Sequence, residues 1–103
     1  MMVTTHVLDA ALGRPAEGMR VRLERADGTV VATAVTDSGG RVVDLGKPEP
    51  GEHRLVFATG PWFAAAGRET FYPEVVVTVN LDGGHFHVPL LLSPYAYSTY
   101  RGS

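Results

Sequence analysis

The 103-residue chain contains no cysteine and no excess of basic residues. Without cysteine there can be no disulfide, no thiolate zinc ligand and no thiol nucleophile. Nine Lys and Arg residues against eleven Asp and Glu residues give a formal net charge of -2, and the basic residues are scattered along the chain. DNA, RNA and anionic membranes are bound through clustered positive charge. We therefore expect no nucleic-acid partner and no membrane partner.

Long hydrophobic runs are also absent. No apolar stretch approaches the roughly 20 residues that a membrane-spanning helix needs, and no signal-peptide pattern is evident before Val3. A cysteine-free chain fits a reducing compartment, so we expect a cytoplasmic protein. The length is that of one domain, and we assign residues 1–103 to it.

Short apolar runs that alternate with polar residues, separated by turn residues, indicate an all-β protein. Eight strands are predicted, at residues 3–8, 19–25, 29–35, 41–45, 52–58, 73–80, 85–92 and 95–100. One short helix is predicted over residues 62–66, with Pro61 at its start and Gly67 at its end. Eight short strands in this length favour a sandwich of two sheets, because a single open sheet would leave one face uncovered.

The seventh predicted strand carries a His-x-His pair, His85 and His87, on one face. The alternate positions form an apolar row that must face the core: Phe86, Val88, Leu90 and Leu92. A polar outer face would explain the pair, and so would a catalytic or metal site. Zinc would need a third ligand, such as His6, His53 or a carboxylate, and we expect neither a metal nor a cofactor. Periodicity alone does not decide whether these histidines are functional.

Three segments carry a family resemblance over nearly the whole chain: "HVLDAALGRPAEGMRVRLER", "SGGRV" and "HFHVPLLLSPYAYSTYRGS". Together they resemble the 5-hydroxyisourate hydrolases, the transthyretin-related enzymes of purine catabolism. True transthyretins share "VLDA" and "LLSPY.YST" but lack the histidine before "VLD", the histidine inside the seventh strand and the final "YRGS". This chain has all three features, and "YRGS" is the most specific of them.

The resemblance implies the site residues. The family's catalytic residues match His6, Arg41 and His87. Its C-terminal motif matches the tail, for which it implies substrate-binding roles at Tyr100, Arg101, Gly102 and Ser103. Many members have "DGR" where this chain has "GGR", and the acidic residue here stands earlier, at Asp37. We therefore expect the loop to hold Arg41 differently.

The resemblance also implies a fold, an assembly and a reaction. The fold is a transthyretin-like sandwich of two four-stranded sheets with one short helix, assembled as a homotetramer with sites in clefts between dimers. The substrate is 5-hydroxyisourate, whose lactam carbonyl is attacked by water. A neutral imidazole can act as a base near pH 7, and either His6 or His87 can fill that role. The planar cation of Arg41 suits the oxygens of a urate-like ring.

Two alternative functions remain open at this point. A non-catalytic transthyretin-like carrier of small molecules would share the fold, but it would have no use for the three catalytic residues together. A structural β-sandwich module could share the "G.P..G..V.L" pattern. Competitive ligand binding and the loss of ultraviolet absorbance from 5-hydroxyisourate distinguish these alternatives.

Overall fold

The alternation of apolar and polar side chains produces two β-sheets in the computed structural model, which describes residues 2–103. The strands are β1 (Met2–Asp9), β2 (Arg14–Pro15), β3 (Arg20–Arg25), β4 (Val30–Val35), β5 (Arg41–Val42), β6 (Gly51–Phe57), β7 (Val75–Leu81), β8 (His85–Ser93) and β9 (Ala96–Thr99). The helix α1 (Thr59–Ala65) follows β6.

The two sheets differ in their strand pairing. The first sheet has the order β2-β1-β8-β9, and β5 also pairs with β1. The second sheet has the order β4-β3-β6-β7. Strands β1 and β8 run parallel, and the other pairs are antiparallel. The all-β sandwich of two sheets is therefore confirmed, and residues 2–103 contain one short helix, as predicted.

The first sheet has five strands instead of the expected four. Gly13, with φ of 69°, turns the chain back, so that Pro15 lies opposite Leu8 and Arg14 lies opposite Asp9. These two residues form β2, which the sequence indicated only as a turn. Strand β5 is shorter than predicted and ends at Val42, although the backbone N–H of Leu45 still donates a hydrogen bond to the carbonyl of Val3.

The core lies between the sheets and confirms the predicted inward row of the seventh strand. Its four apolar residues are at most 5% exposed and pack with side chains from both sheets and from α1, including Val3, Val7, Leu23, Leu55, Phe57 and Phe63. On the other face of β8, His85 is exposed and His87 is half-buried. The outer face of the first sheet therefore presents both histidines away from the core.

The helix α1 begins at Thr59, two residues before Pro61. Proline is compatible with the first turn because the N–H groups there have no partner within the helix. Gly67, with φ of 67°, follows the helix, and its N–H donates to the carbonyl of Ala64. Within residues 2–103 no helix has the length and apolarity needed to cross a bilayer.

Candidate active site

Three adjacent strands of the first sheet bring the predicted catalytic residues together. In the parallel pairing of β1 with β8, Thr4 lies opposite His87 and His6 lies opposite Pro89. On the other side of β1, Arg41 of β5 lies opposite His6. Thr4 and His6 share a strand face because they are two residues apart. The outer face therefore gathers two histidines, an arginine and a threonine from β5, β1 and β8.

The turn before β5 holds Arg41 through its backbone. The Oδ1 atom of Asp37 accepts hydrogen bonds from the N–H groups of Gly39 and Arg41, both at 2.9 Å. The N–H of Asp37 in turn donates to the carbonyl of Arg41 at 2.9 Å. The guanidinium of Arg41 forms no salt bridge with any residue of the described chain. Asp37 therefore fixes the backbone of Arg41 and leaves its charged group free for a ligand.

Gly40 packs this turn directly against β1. Its carbonyl accepts a hydrogen bond of 2.7 Å from the N–H of Val7, the residue after His6. Its φ is +75°, and a Cβ atom there would lie 2.3 Å from the carbonyl oxygen of Val7. Only glycine allows both the conformation and the approach. This contact holds the turn that carries Arg41 against β1, next to His6.

The imidazole of His87 has one ring nitrogen engaged and one free. Its Nδ1 atom is 2.8 Å from the Oγ1 atom of Thr4, which also lies 3.2 Å from Nε2 of His85. No hydrogen bond within residues 2–103 involves Nε2 of His87. Burial lowers the pKa of the His87 imidazole below its ordinary value, and the charges of Arg41, His6 and His85 lower it further. His87 is therefore neutral near pH 7, with a ring nitrogen available to accept a proton.

Gly102 holds the tail against His87. The N–H of Gly102 donates a 2.8 Å hydrogen bond to the carbonyl of His87, and the two residues form an isolated β-bridge. A Cβ atom at Gly102 would lie 2.5 Å from Cδ2 of the His87 ring. Gly102 is not among the glycines with positive φ. The position therefore requires glycine for space and not for backbone flexibility.

An open cavity of about 380 Å³ lies on this outer face. The polar residues that line it are Thr4, Thr5, Arg41, His85, His87 and Ser103. Ser103 thus lies beside two of the predicted catalytic residues. His6 does not line this cavity, but it lies between Arg41 and Pro89 in the sheet and its charge acts on His87.

The other two tail residues lie elsewhere within the chain. The guanidinium carbon of Arg101 lies 4.6 Å from the centroid of the Phe86 ring, an inward-facing side chain. Arg101 and Tyr100 line a separate cavity of about 330 Å³ between the sheets, beside β7. Successive residues of an extended tail face opposite sides, which separates Arg101 from Gly102. Within one chain, neither Tyr100 nor Arg101 lines the histidine cavity.

The fourth histidine, His53, lies in the other sheet from His6, His85 and His87. His53 lies on β6 of the second sheet, is 4% exposed, and has its Nδ1 atom 3.0 Å from the carbonyl of Gly51. Residues 2–103 contain no group of three or more His, Asp or Glu side chains arranged to hold a metal ion.

Thr4 is the site residue that the sequence analysis did not single out. Strand alternation places it on the face of His6, and that alternation was visible in the sequence. Its contact with His87 depends on the parallel register of β1 and β8, which a single sequence does not reveal. The role of Thr4 therefore could not be predicted without the register of these two strands.

Comparisons with known proteins agree with this fold. A family model described as HIUase/Transthyretin family matches residues 3–102. The chain is 44% identical over 111 residues to the 5-hydroxyisourate hydrolase of Mus musculus, covering 98% of this chain and 94% of that protein. The solved structure of Klebsiella pneumoniae 5-hydroxyisourate hydrolase matches with a TM-score of 0.94 and 40% identity over 100% of both chains. Sea bream transthyretin in complex with thyroxine matches with a TM-score of 0.90 and 28% identity, covering 99% and 95% of the two chains.

The fold and the outer-face histidines define a transthyretin-like sandwich with a polar site on its first sheet. Because the family model covers almost the whole chain, the protein belongs to the HIUase/Transthyretin family.

Proposed function

We propose that this protein hydrolyses 5-hydroxyisourate, opening its lactam ring to 2-oxo-4-hydroxy-4-carboxy-5-ureidoimidazoline in urate degradation. The observation that carries the proposal is the convergence of His6, Arg41 and His87 on one outer face. The relative from Mus musculus and the structural match from Klebsiella pneumoniae, both named as 5-hydroxyisourate hydrolases, support it. The substrate is a small molecule, and the residues need no cofactor for this reaction.

The reaction is the attack of water on the lactam carbonyl carbon. His87 is the base, because burial and nearby positive charge lower its pKa and keep it neutral near pH 7. Its free Nε2 atom takes a proton from the water, which His6 helps to hold. As the carbon–oxygen bond forms, the guanidinium of Arg41 stabilises the negative charge on the carbonyl oxygen. The carbon–nitrogen bond then breaks, and His87 returns the proton to the ring nitrogen.

The tail completes the site in this proposal. Gly102 packs against the His87 ring, and Ser103 lines the cavity from which substrate approaches. We assign the hydroxyl of Ser103 to a hydrogen bond with the substrate ring. Arg101 anchors the tail by packing its cation over Phe86. Because Tyr100 lines the other cavity within one chain, we assign it to narrowing the cleft of a neighbouring subunit.

The cavity is open on the outer face, and we propose that a homotetramer closes it. Leu91 lies half-buried on this face and Tyr100 is 59% exposed, so a second subunit would cover apolar surface. We also propose that the enzyme works in the cytoplasm, which is consistent with a cysteine-free chain.

The experiment is an assay on 5-hydroxyisourate freshly generated from urate, with the product identified by mass spectrometry. We expect the protein to accelerate the loss of ultraviolet absorbance and to form a product heavier than the substrate by one water. No acceleration over the spontaneous reaction would refute the proposal.

A non-catalytic carrier is the second candidate, and the match to a thyroxine complex of transthyretin favours it. A carrier would bind thyroxine without hydrolysing 5-hydroxyisourate. We expect the opposite, because no carrier role requires a neutral histidine beside a free arginine. Calorimetric titration with thyroxine, run beside the hydrolysis assay, separates the two functions.

A further inference from the structure

One hydroxyl group contacts both histidines of the His-x-His pair. The Oγ1 atom of Thr4 lies 2.8 Å from Nδ1 of His87 and 3.2 Å from Nε2 of His85. The same oxygen is 3.5 Å from the carbonyl oxygen of Phe86. Thr4 itself is half-buried on β1 and lines the cavity. Thr4 therefore lines the cavity, and its hydroxyl has three possible hydrogen-bond partners: His87, His85 and the carbonyl of Phe86.

Counting hydrogens limits how these groups can pair. A threonine hydroxyl has one hydrogen to donate and two lone pairs with which to accept. With two ring nitrogens in contact, at least one imidazole must donate its N–H to Thr4. The carbonyl of Phe86 can only accept, and a hydroxyl that donates to it must accept from both imidazoles. Both contacts are within hydrogen-bonding distance, and the one to Nδ1 of His87 is the shorter.

The tail restricts the other edge of the same ring. A half-turn of the imidazole would exchange Nδ1 with Cδ2, placing a carbon against the hydroxyl of Thr4 and a nitrogen against Gly102. The ring instead has Cδ2 packed close to Gly102 and Nδ1 bonded to Thr4. The hydrogen bond with Thr4 therefore distinguishes the two orientations of the His87 ring, and Gly102 limits the space at its other edge.

We propose that Thr4 is a positioning residue, which accepts a hydrogen bond from Nδ1–H of His87 and so fixes the neutral tautomer whose Nε2 lone pair faces the cavity. This inference rests on the proposed function, because it explains how His87 is kept ready to act as a base. The tautomer of a histidine is set by the hydrogen bond that its other nitrogen makes. His85 shares the hydroxyl from the solvent side and has no separate step in the reaction.

The test compares Thr4→Val, which keeps the branched shape and removes the hydroxyl, with Thr4→Ser, which keeps the hydroxyl. Thr33→Val is the matched control, because Thr33 is exposed on β4 of the other sheet. We expect Thr4→Val to lower kcat by about 10- to 100-fold, the range for losing a group that orients a functional imidazole. KM should change little, and Thr4→Ser should retain most of the activity. Thr33→Val should match the wild type.

A second readout does not depend on substrate. Nitrogen-15 NMR of the histidine rings at neutral pH reports which ring nitrogen of His87 carries the proton. We expect Nδ1–H in the wild type and in Thr4→Ser, and a shift toward Nε2–H in Thr4→Val. A wild-type proton on Nε2, or a Thr4→Val protein with unchanged tautomer and unchanged kcat, would overturn the inference. If the wild type does not hydrolyse 5-hydroxyisourate, the proposed function fails, and the NMR result still decides the role of Thr4.

Discussion

At the scale of single residues, the site depends on keeping one histidine neutral among positive charges. His87 is half-buried, and Arg41, His6 and His85 all act on it. Each of these influences disfavours the imidazolium. A base with a lowered pKa stays unprotonated to a lower pH than an ordinary histidine does, so the site should keep its base in mildly acidic solution.

The first prediction follows from this charge arrangement. An NMR titration of His87 should give a midpoint below the ordinary histidine pKa of about 6.5, and Arg41→Gln should raise it by removing a positive charge. Because the folded pKa is lowered, the folded protein binds fewer protons at His87 than the unfolded chain does. The contribution of His87 to stability is therefore complete above pH 6.5 or so and is lost as the pH falls through the folded pKa. An unchanged or lower midpoint in Arg41→Gln would contradict this account.

The second prediction concerns Gly102. The added methyl group of Gly102→Ala would lie 2.5 Å from the His87 ring and must displace the ring or the tail. We expect kcat to fall by about a hundredfold, since a displacement near 1 Å can cost that much in a catalytic site. The free energy of unfolding should change little, because the tail lies outside the core. Denaturation curves and turnover measured on the same protein check both statements, and full activity in Gly102→Ala would refute the packing argument.

At the scale of elements, the sequence predicted what depends on alternation and missed what depends on contacts between distant segments. Strands β3 and β8 were predicted because their apolar residues repeat every second position over six residues or more. Strand β2 was missed because two residues carry no period, and only the return of Arg14 and Pro15 onto β1 defines it. The outward face of His87 could likewise be predicted. Its closeness to His6 could not be derived from alternation, since it depends on the parallel pairing of β1 and β8.

One ion pair joins the end of β1 to the segment that follows α1. The side chain of Asp9 is 1% exposed, and its Oδ2 atom accepts a 2.7 Å hydrogen bond from Nη1 of Arg68. Its Oδ1 atom accepts from the N–H groups of Ala11 and Leu12. Burial raises the pKa of the Asp9 carboxyl, but the hydrogen bonds from Arg68 and the backbone outweigh it and hold the pKa below its ordinary value. Asp9 is therefore charged in the folded protein and depends on its partners.

The third prediction is that Arg68→Met lowers the free energy of unfolding by about 3 kcal/mol, because it leaves a buried carboxylate without its cation. Arg22→Met is the matched control. The Arg22 side chain is 39% exposed in its pair with Glu24, and such pairs contribute at most about 1 kcal/mol. Urea denaturation at neutral pH measures both. Since the pKa of Asp9 is lowered on folding, its contribution is present above about pH 3.9 and lost as the pH falls further. Equal losses in the two variants would show that the buried pair has no special role.

At the scale of the whole molecule, a single chain leaves the site open on one side. The cavity of the histidines is on the outer face of the first sheet, and Leu91 lies on the same face. Tyr100 and Arg101 line a different cavity in the chain itself. The sequence of the tail suggested that it has a role in the site. Which tail residues line which cavity depends on the pairing of Gly102 with His87, and this pairing could not be predicted from the sequence.

The fourth prediction is a homotetramer. Light scattering should give about four times the 11.0 kDa chain mass, as expected for an assembly with two-fold symmetric interfaces. Leu91→Arg should dissociate it and reduce hydrolysis, because it places a charge on the apolar part of the outer face. Thr33→Arg, on the second sheet, is the control and should leave the mass unchanged. A monomer with full activity would contradict a site closed by a second subunit.

The most direct measurement of the central claim is the initial rate of 5-hydroxyisourate loss for the wild type, His87→Ala, Arg41→Ala and Arg20→Ala. Arg20 is exposed on β3 of the second sheet and serves as the matched control for Arg41. We predict that His87→Ala and Arg41→Ala each lose about a hundredfold or more in kcat, as expected for a base and a charge stabiliser, while Arg20→Ala keeps the wild-type rate. Wild-type rates in His87→Ala and Arg41→Ala would contradict the claim that the outer face of β1, β5 and β8 is the active site.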